Sequence, residues 1–324
     1  MPRRGTRPLV VVTGGAGAIG SALTEELARR GNSVRVVDNL SSPIPHVRNR
    51  WRRMPHVRLR RADVRRPLPV LSAVRGATAV WHLAANPDIR LGTRRPRIDL
   101  EVGVLGMFNV LEAARRWDVP QVLFSSSSVV YGLPDRFPTP EDYGPLCPES
   151  IYGGSKLAAE ALLSSFCYSY GIRGHIFRFA NVIGRTMTHG VIVDFFEKLA
   201  NDPARLEVLG DGFQAKSYLR TEDCVSAMML AAEKATARVN IFNLGTRDQT
   251  SVREIAESVV RVHGGRARIE YAGGDRGWVG DIPKQLLATD RIVALGWQPR
   301  SSSAEAVQLT VEEIAHDRGV HAKE

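Results

Sequence analysis

The sequence predicts an α/β protein, built on a doubly wound parallel sheet with a smaller, discontinuous α/β substrate-binding domain. Three observations predict it. Short β-branched runs such as Leu9-Val10-Val11-Val12 lack inward–outward alternation, as strands buried on both faces do. Segments of helical periodicity separate them, the order that lays strands parallel. A glycine cluster, Thr13-Gly14-Gly15-Ala16-Gly17-Ala18-Ile19-Gly20, joins the first strand to the first helix.

That first unit is the most informative part of the chain. Glycines let a phosphate approach the backbone, and the following helix aims its unpaired N–H groups and partial positive charge at the same place. Leu23 and Leu27 mark the buried face of the helix and Gly31 its end. Val34 to Val37 form the second strand. Asp38 stands at its end, about 20 residues past the glycines, where a carboxylate accepts hydrogen bonds from an adenosine ribose. A glycine fingerprint alone is weak, because such turns also serve close helix–strand packing. Here strand, turn, helix and acid are all present, and a Rossmann-type dinucleotide site is expected. Gly14, Gly17, Ala18, Ile19, Gly20, Asp38 and Asn39 are its candidate contacts. The acid repels a 2′-phosphate, so NAD is expected over NADP.

At 324 residues the chain is long enough for a nucleotide domain and a second, smaller one. No stretch approaches the roughly 18 apolar residues of a membrane span, and the early valine run is too short for a signal peptide, so a cytoplasmic protein is expected. Cys147, Cys167 and Cys224 lack metal-ligand or disulfide spacing; free thiols and no metal are expected. The net charge of +10 is an arginine charge, 38 Arg against 6 Lys. Its densest run, His46 to Arg66, holds nine arginines. Without aromatic or zinc-knuckle accompaniment it reads as a solvated face, and no nucleic-acid or membrane partner is expected.

Further along, His56 to Leu59 is the third strand, followed by Asp63-Val64, where the acid has the position of a helix N-cap ahead of Pro67. Ala77 to Leu83 is the fourth; the small residues after it, Ala84 and Ala85, with Leu83, let backbone lie against a cofactor. His82 reads as a packed histidine. Leu100 to Arg116 is a long helix, its buried face marked by Val104, Met107, Phe108 and Leu111. Gln121 to Phe124 is the fifth strand and runs into Ser125-Ser126-Ser127-Ser128, at the edge where open α/β sheets bind ligands. A helix from Glu149 to Leu163 and a strand from Ile172 to Ala180 follow. After a turn at Gly210-Asp211-Gly212, a helix from Thr221 to Lys234 and a strand from Asn240 to Leu244 return to the sheet. The NAD-binding domain is therefore expected over 1–181 and 221–248, and the substrate domain over 182–220 and 249–324.

Tyr152 and Lys156 lie four apart on a helix, hence on one face. A phenol is a poor base at neutral pH, and an adjacent ammonium and a cationic nicotinamide would bring it into range. Tyr152 is the expected base, Lys156 its partner and a ribose contact, and Ser127 the hydroxyl that binds and relays for the reacting sugar oxygen.

Together, Thr13-Gly-Gly-Ala-Gly, Ser-Ser-x-x-Val-Tyr-Gly, Tyr152-x-x-x-Lys156, Arg178-Phe-Ala-Asn181, Gly210-Asp-Gly-Phe-Gln214 and Leu295-Gly-Trp297-x-Pro299 resemble the nucleotide-sugar epimerase/dehydratase family of extended short-chain dehydrogenases/reductases. His189-Gly-Val-Ile, Lys216-Ser-Tyr-Leu and Gly277-Trp-Val-Gly-Asp281 are most similar to its UDP-glucose 4-epimerase-like members. The resemblance implies that Asp63 and Val64 flank the adenine. It further implies that Asn181, Lys216 and Arg276 contact the diphosphate and that Asp281 binds the uridine ribose. It implies a dimer formed through helices like Leu100–Arg116 and Glu149–Leu163. Two departures stand out: Gly103 replaces the usual Asn, and Lys216 the usual Arg.

The implied reaction is 4-epimerisation of UDP-glucose and UDP-galactose through a transient 4-keto sugar. Family dehydratases carry Thr-Asp-Glu where this chain has Ser127, Ser128 and Val129, which disfavours elimination. Members acting on UDP-glucuronate carry an Arg where this chain has Thr188, although Arg185 lies in the same loop. UDP-glucuronate or UDP-N-acetylglucosamine epimerisation is the runner-up. A different class, an NAD-fold protein binding RNA or membranes through its arginines, tends to lose the Tyr or Lys retained here.

Overall fold

The computed structural model describes residues 7–274, 276–277 and 282–320, without the side chains of Ile89 and Arg90. Its centre is a seven-stranded, all-parallel sheet. In chain order the first six strands are β1 (Leu9–Thr13), β2 (Ser33–Asp38), β3 (Val57–Arg61), β4 (Ala79–His82), β5 (Gln121–Ser127) and β6 (Arg173–Phe179). Across the sheet the order is Val239–Leu244, β6, β5, β4, β1, β2, β3. The order reverses between β1 and β4, which opens a crevice at the carboxyl ends of those strands.

The unalternating apolar strands are covered on both faces. On one face, helix α1 (Ala18–Arg29) and the helix Thr221–Lys234 bury Leu23, Leu27, Val225 and Met228 against Val12, Val36 and Phe177. On the other, the helices Pro67–Val74, Gly106–Arg116 and Ile151–Tyr170 bury Val70, Leu111 and Leu163 against Val11, Val80 and Phe124. A separate core lies among the helices Val191–Asn201, Val252–Val262 and Ser303–Asp317, where Ile192, Phe196, Ile255 and Val311 are enclosed. The last two helices each begin with a reciprocal capping box, Ser251 with Glu254 and Ser302 with Glu305.

One expected helix differs. Leu100 to Arg116 is not a single α-helix: Leu100–Leu105 is π-helical and the α-helix runs from Gly106 to Arg116. The wider π turn shifts the helical phase, so the stripe read from a 3.6-residue period fails across it. Met107 and Leu111 are buried as expected, but Phe108 is 44% exposed and Val110 takes the inner face.

Candidate active site

The nucleotide end is shaped by glycine. Gly14 has φ +67°, and a Cβ there would lie 2.6 Å from the backbone nitrogen of Ala84. A Cβ on Gly20 would lie 2.2 Å from the Gly14 carbonyl oxygen. Turn, helix and β4 end therefore close on one another. Gly17 is the N-cap of α1, with no side chain capping the helix. A Cβ there would meet nothing nearer than the Gly14 oxygen at 3.5 Å, so it would project into an open cradle above unpaired helix N–H groups. At the end of β2, the Asp38 carboxylate accepts from the backbone N–H of Ala16 (2.9 Å) and of Leu40 (2.7 Å). Each oxygen keeps a lone pair for a ribose hydroxyl. An uncapped helix terminus, a side-chain-free cradle and an acid at the second strand fit a dinucleotide.

Asp63 is not the helix cap that its spacing allowed, because Arg66 occupies the N-cap of Pro67–Val74. Its carboxylate is instead held by the Arg65 fork (3.0 and 2.8 Å), the Arg65 backbone N–H (2.9 Å) and the Asn39 amide (3.1 Å). The guanidinium keeps the Asp63 carboxyl well below its ordinary range. Val64 is buried beneath Gly106, where a Cβ would come within 2.9 Å of it. His82 is a packed residue: fully buried, 2.7 Å from the Thr13 hydroxyl, and held neutral by burial, which lowers it to about 3.

β5 delivers the serines to the other end of the crevice. The Ser127 hydroxyl accepts from the Val129 N–H at 3.4 Å and caps a short 3₁₀ turn, Ser128–Tyr131. Tyr152 sits in the first turn of Ile151–Tyr170, a helix started by the Ser150 hydroxyl accepting from the Gly153 N–H at 3.0 Å. One turn on, the Lys156 ammonium lies beneath the surface, 5.5 Å from the Tyr152 ring centroid and 4.7 Å from that of Phe124. It donates to the Ser125 carbonyl at 2.6 Å.

Electrostatically the pair differs from expectation. Burial lowers Lys156 to about 7, against the pull of Glu160 and Asp99. Burial, then Asp99, raises the Tyr152 phenol above its ordinary value. The lysine alone does not make the phenol acidic, because burial dominates its ionisation.

Ser127 and Tyr152 open onto a cavity of about 910 Å³, which Ile19, Asn181 and Lys216 also line. Arg185 is not in its wall. Its guanidinium is turned outward onto Asp317, with Nε 2.7 Å from Oδ2. Arg276 also lies outside the wall, 3.4 Å from Glu149, although the adjacent Gly277 lines it. Asp281 lies outside the described residues. Gln214, Tyr218 and Leu287 line the cavity and went unassigned from sequence, since nothing local says which way they face. At Gly103 a Cβ would meet the Ser155 hydroxyl at 2.6 Å, so the packing that carries Tyr152 leaves no room for Asn.

A buried polar network behind the pair also escaped the sequence. Arg178 forks onto Glu160 (2.7 and 3.1 Å) and donates to the Tyr131 hydroxyl (2.9 Å) and the Glu141 carbonyl (3.1 Å). Tyr131 donates to Asn243 at 2.8 Å, and Ser126 donates to Glu160. The helix carrying Tyr152 and Lys156 is thereby bound to β5, β6 and the Val239–Leu244 strand. Glu160 stands one turn beyond Lys156, the one local signal for it.

Sheet, cradle and Tyr–Lys pair define an α/β dinucleotide-binding enzyme. The model of the NAD dependent epimerase/dehydratase family matches residues 10–245, and the chain belongs to that family. It is 32% identical over 308 residues to the UDP-glucose 4-epimerase of Mycolicibacterium smegmatis, covering 93% of this chain and 97% of the relative. A crystal structure of a UDP-galactose 4-epimerase aligns with a TM-score of 0.85 and 39% identity over 95% of this chain and 99% of that one. MoeE5 in complex with UDP-glucuronic acid and NAD aligns at 0.83 and 29%, over 95% and 99%. The cofactor is NAD, as Asp38 predicts.

Proposed function

We propose that this chain is a UDP-sugar 4-epimerase that interconverts UDP-glucose and UDP-galactose in the cytoplasm. The observation that carries the reading is the meeting of Ser127 and Tyr152 on one cavity wall, with Lys156 below them and the dinucleotide cradle beside them. Similarity to named 4-epimerases along nearly the whole chain supports it.

Bound NAD supplies the acceptor and donor of the C4 hydride. Tyr152 takes the proton of the C4 hydroxyl and Ser127 holds that oxygen. Once the 4-keto sugar has turned its other face, Tyr152 returns the proton. Lys156 steadies the phenolate. Asn181 and Lys216 hold the diphosphate while the sugar turns, with Arg276 as a second phosphate contact and Asp281 as the uridine-ribose contact. In this reading residues 1–181 and 221–248 hold NAD, and 182–220 and 249–324 hold the UDP-sugar. With Ser128 and Val129 beside Ser127, the two positions that are Asp and Glu in family dehydratases carry no carboxylate to drive loss of water.

The sugar is neutral at C6. Among the described residues no arginine lines the cavity. The lining lysines include Lys198, which donates to the Glu207 carbonyl at 2.8 Å, and Lys284, which sits over the Phe137 ring. A buried uronate would lack a dedicated guanidinium. The active form is a homodimer, supported by exposed Leu105 and Phe108 on one helical segment and Tyr168 and Tyr170 on its neighbour. Incubation of the protein and NAD with UDP-glucose tests the function: UDP-galactose is the expected product, and unchanged substrate contradicts the reading.

A further inference from the structure

Asp99 is 1% exposed, on the short helical turn Arg97–Asp99 that leads into the π-helical stretch. One carboxylate oxygen accepts from the Asn86 side chain at 3.0 Å. The other, Oδ2, is buried without a hydrogen-bond partner. It abuts the backbone of Gly92, where a Cβ would come within 2.0 Å of it. A buried, half-satisfied carboxylate is costly, and it persists where something offsets it.

We propose that Asp99 is a positioning residue of the Tyr152–Lys156 pair, holding the positive charge on Lys156 from the turn that precedes Gly103. Two carboxylates act on that ammonium, Glu160 and Asp99. Glu160 is already forked by Arg178 and takes the Ser126 hydroxyl. Among the described residues no guanidinium meets Asp99, and Lys156 is the one cation acting on it. The remaining groups around the pair are His82, which burial holds neutral, and Asp88, which acts on Asp99. Burial drives Lys156 to about 7 even with both carboxylates acting on it, so without Asp99 it would give up its proton at still lower pH. After burial, the same carboxylate raises the Tyr152 phenol, and so it acts on both ionisations. With Gly103 providing no side chain, the polar group on this flank of the pair comes from one turn earlier.

The catalytic consequence rests on the proposed epimerase function; the charge relation does not, and the test separates them. With carbon-labelled lysine, nuclear magnetic resonance of the six lysine side chains, assigned at Lys156 by its substitution with Met, reads the ionisation directly in the protein alone. In Asp99→Asn, Lys156 should lose its proton about one pH unit lower than in the unaltered chain. Asp99→Ser, which removes the charge with less bulk, should do the same and covers a misfolded Asn variant. The pH profile of kcat/KM on UDP-glucose should move to lower pH at both limbs, since both ionisations become easier. An unmoved Lys156 titration in a folded variant overturns the proposal whatever the sugar. A shifted titration in a protein that turns over no UDP-sugar supports it and overturns the epimerase reading instead.

Discussion

Tyr152 and Lys156 are the residues on which chemistry and stability oppose each other. Tyr152→Phe keeps the ring and loses the proton carrier; it should bind NAD as before and lose about 100-fold or more in kcat, as removal of a general base does. Near-normal turnover would exclude Tyr152 as the base. Lys156 contributes a pH dependence. Its folded value, about 7, lies below its ordinary 10.5, so the folded state binds fewer protons in that window. Its contribution to stability is therefore present above 10.5 and is lost as pH falls towards 7, at up to about 1.4 kcal/mol per pH unit. Urea unfolding of Lys156→Met against the unaltered chain should show the variant gaining relative stability on going from pH 9 to pH 7; a difference independent of pH would mean that Lys156 is not desolvated. Asp38→Ala should weaken NAD and narrow its advantage over NADP in equilibrium titrations. Equal affinity of the unaltered protein for both would show that Asp38 does not face the ribose.

At the scale of elements, what was legible was local. The glycine turn, its helix and Asp38 lie within one βαβ unit, and their spacing alone places them. Tyr152 and Lys156 share a face by the helical repeat. The Phe108 prediction failed because the buried arc of Gly106–Arg116 runs through Met107, Val110, Leu111 and Ala114, and Phe108 falls outside it. Arg185 lies outside the cavity wall for another reason: Asp317, 132 residues away, takes its guanidinium. The Arg178–Glu160 network likewise joins β6 to the helix that carries Tyr152 and Lys156, and pairing across a fold is invisible to periodicity. Removing one partner leaves an uncompensated buried charge, so Glu160→Ala should cost about 3–5 kcal/mol in denaturant unfolding. A loss within about 0.5 kcal/mol would show that the network does not tie helix to sheet.

At the scale of the molecule, the proposed neutral sugar rests on a cavity that no arginine lines among the described residues. UDP-galactose should exceed UDP-galacturonate in kcat/KM by about tenfold or more, the discrimination of a site that leaves a carboxylate unpaired. Arg185→Ala should spare the neutral sugar. A preference for the uronate that disappears with Arg185 would reverse the assignment. The central claim, a redox loop closed within one site, is tested most directly by following the C4 hydrogen. UDP-glucose deuterated at C4, incubated in ordinary water with the protein and NAD, should give UDP-galactose with the deuterium still at C4. Deuterium lost to solvent, or moved to C6 with loss of water, would contradict the account.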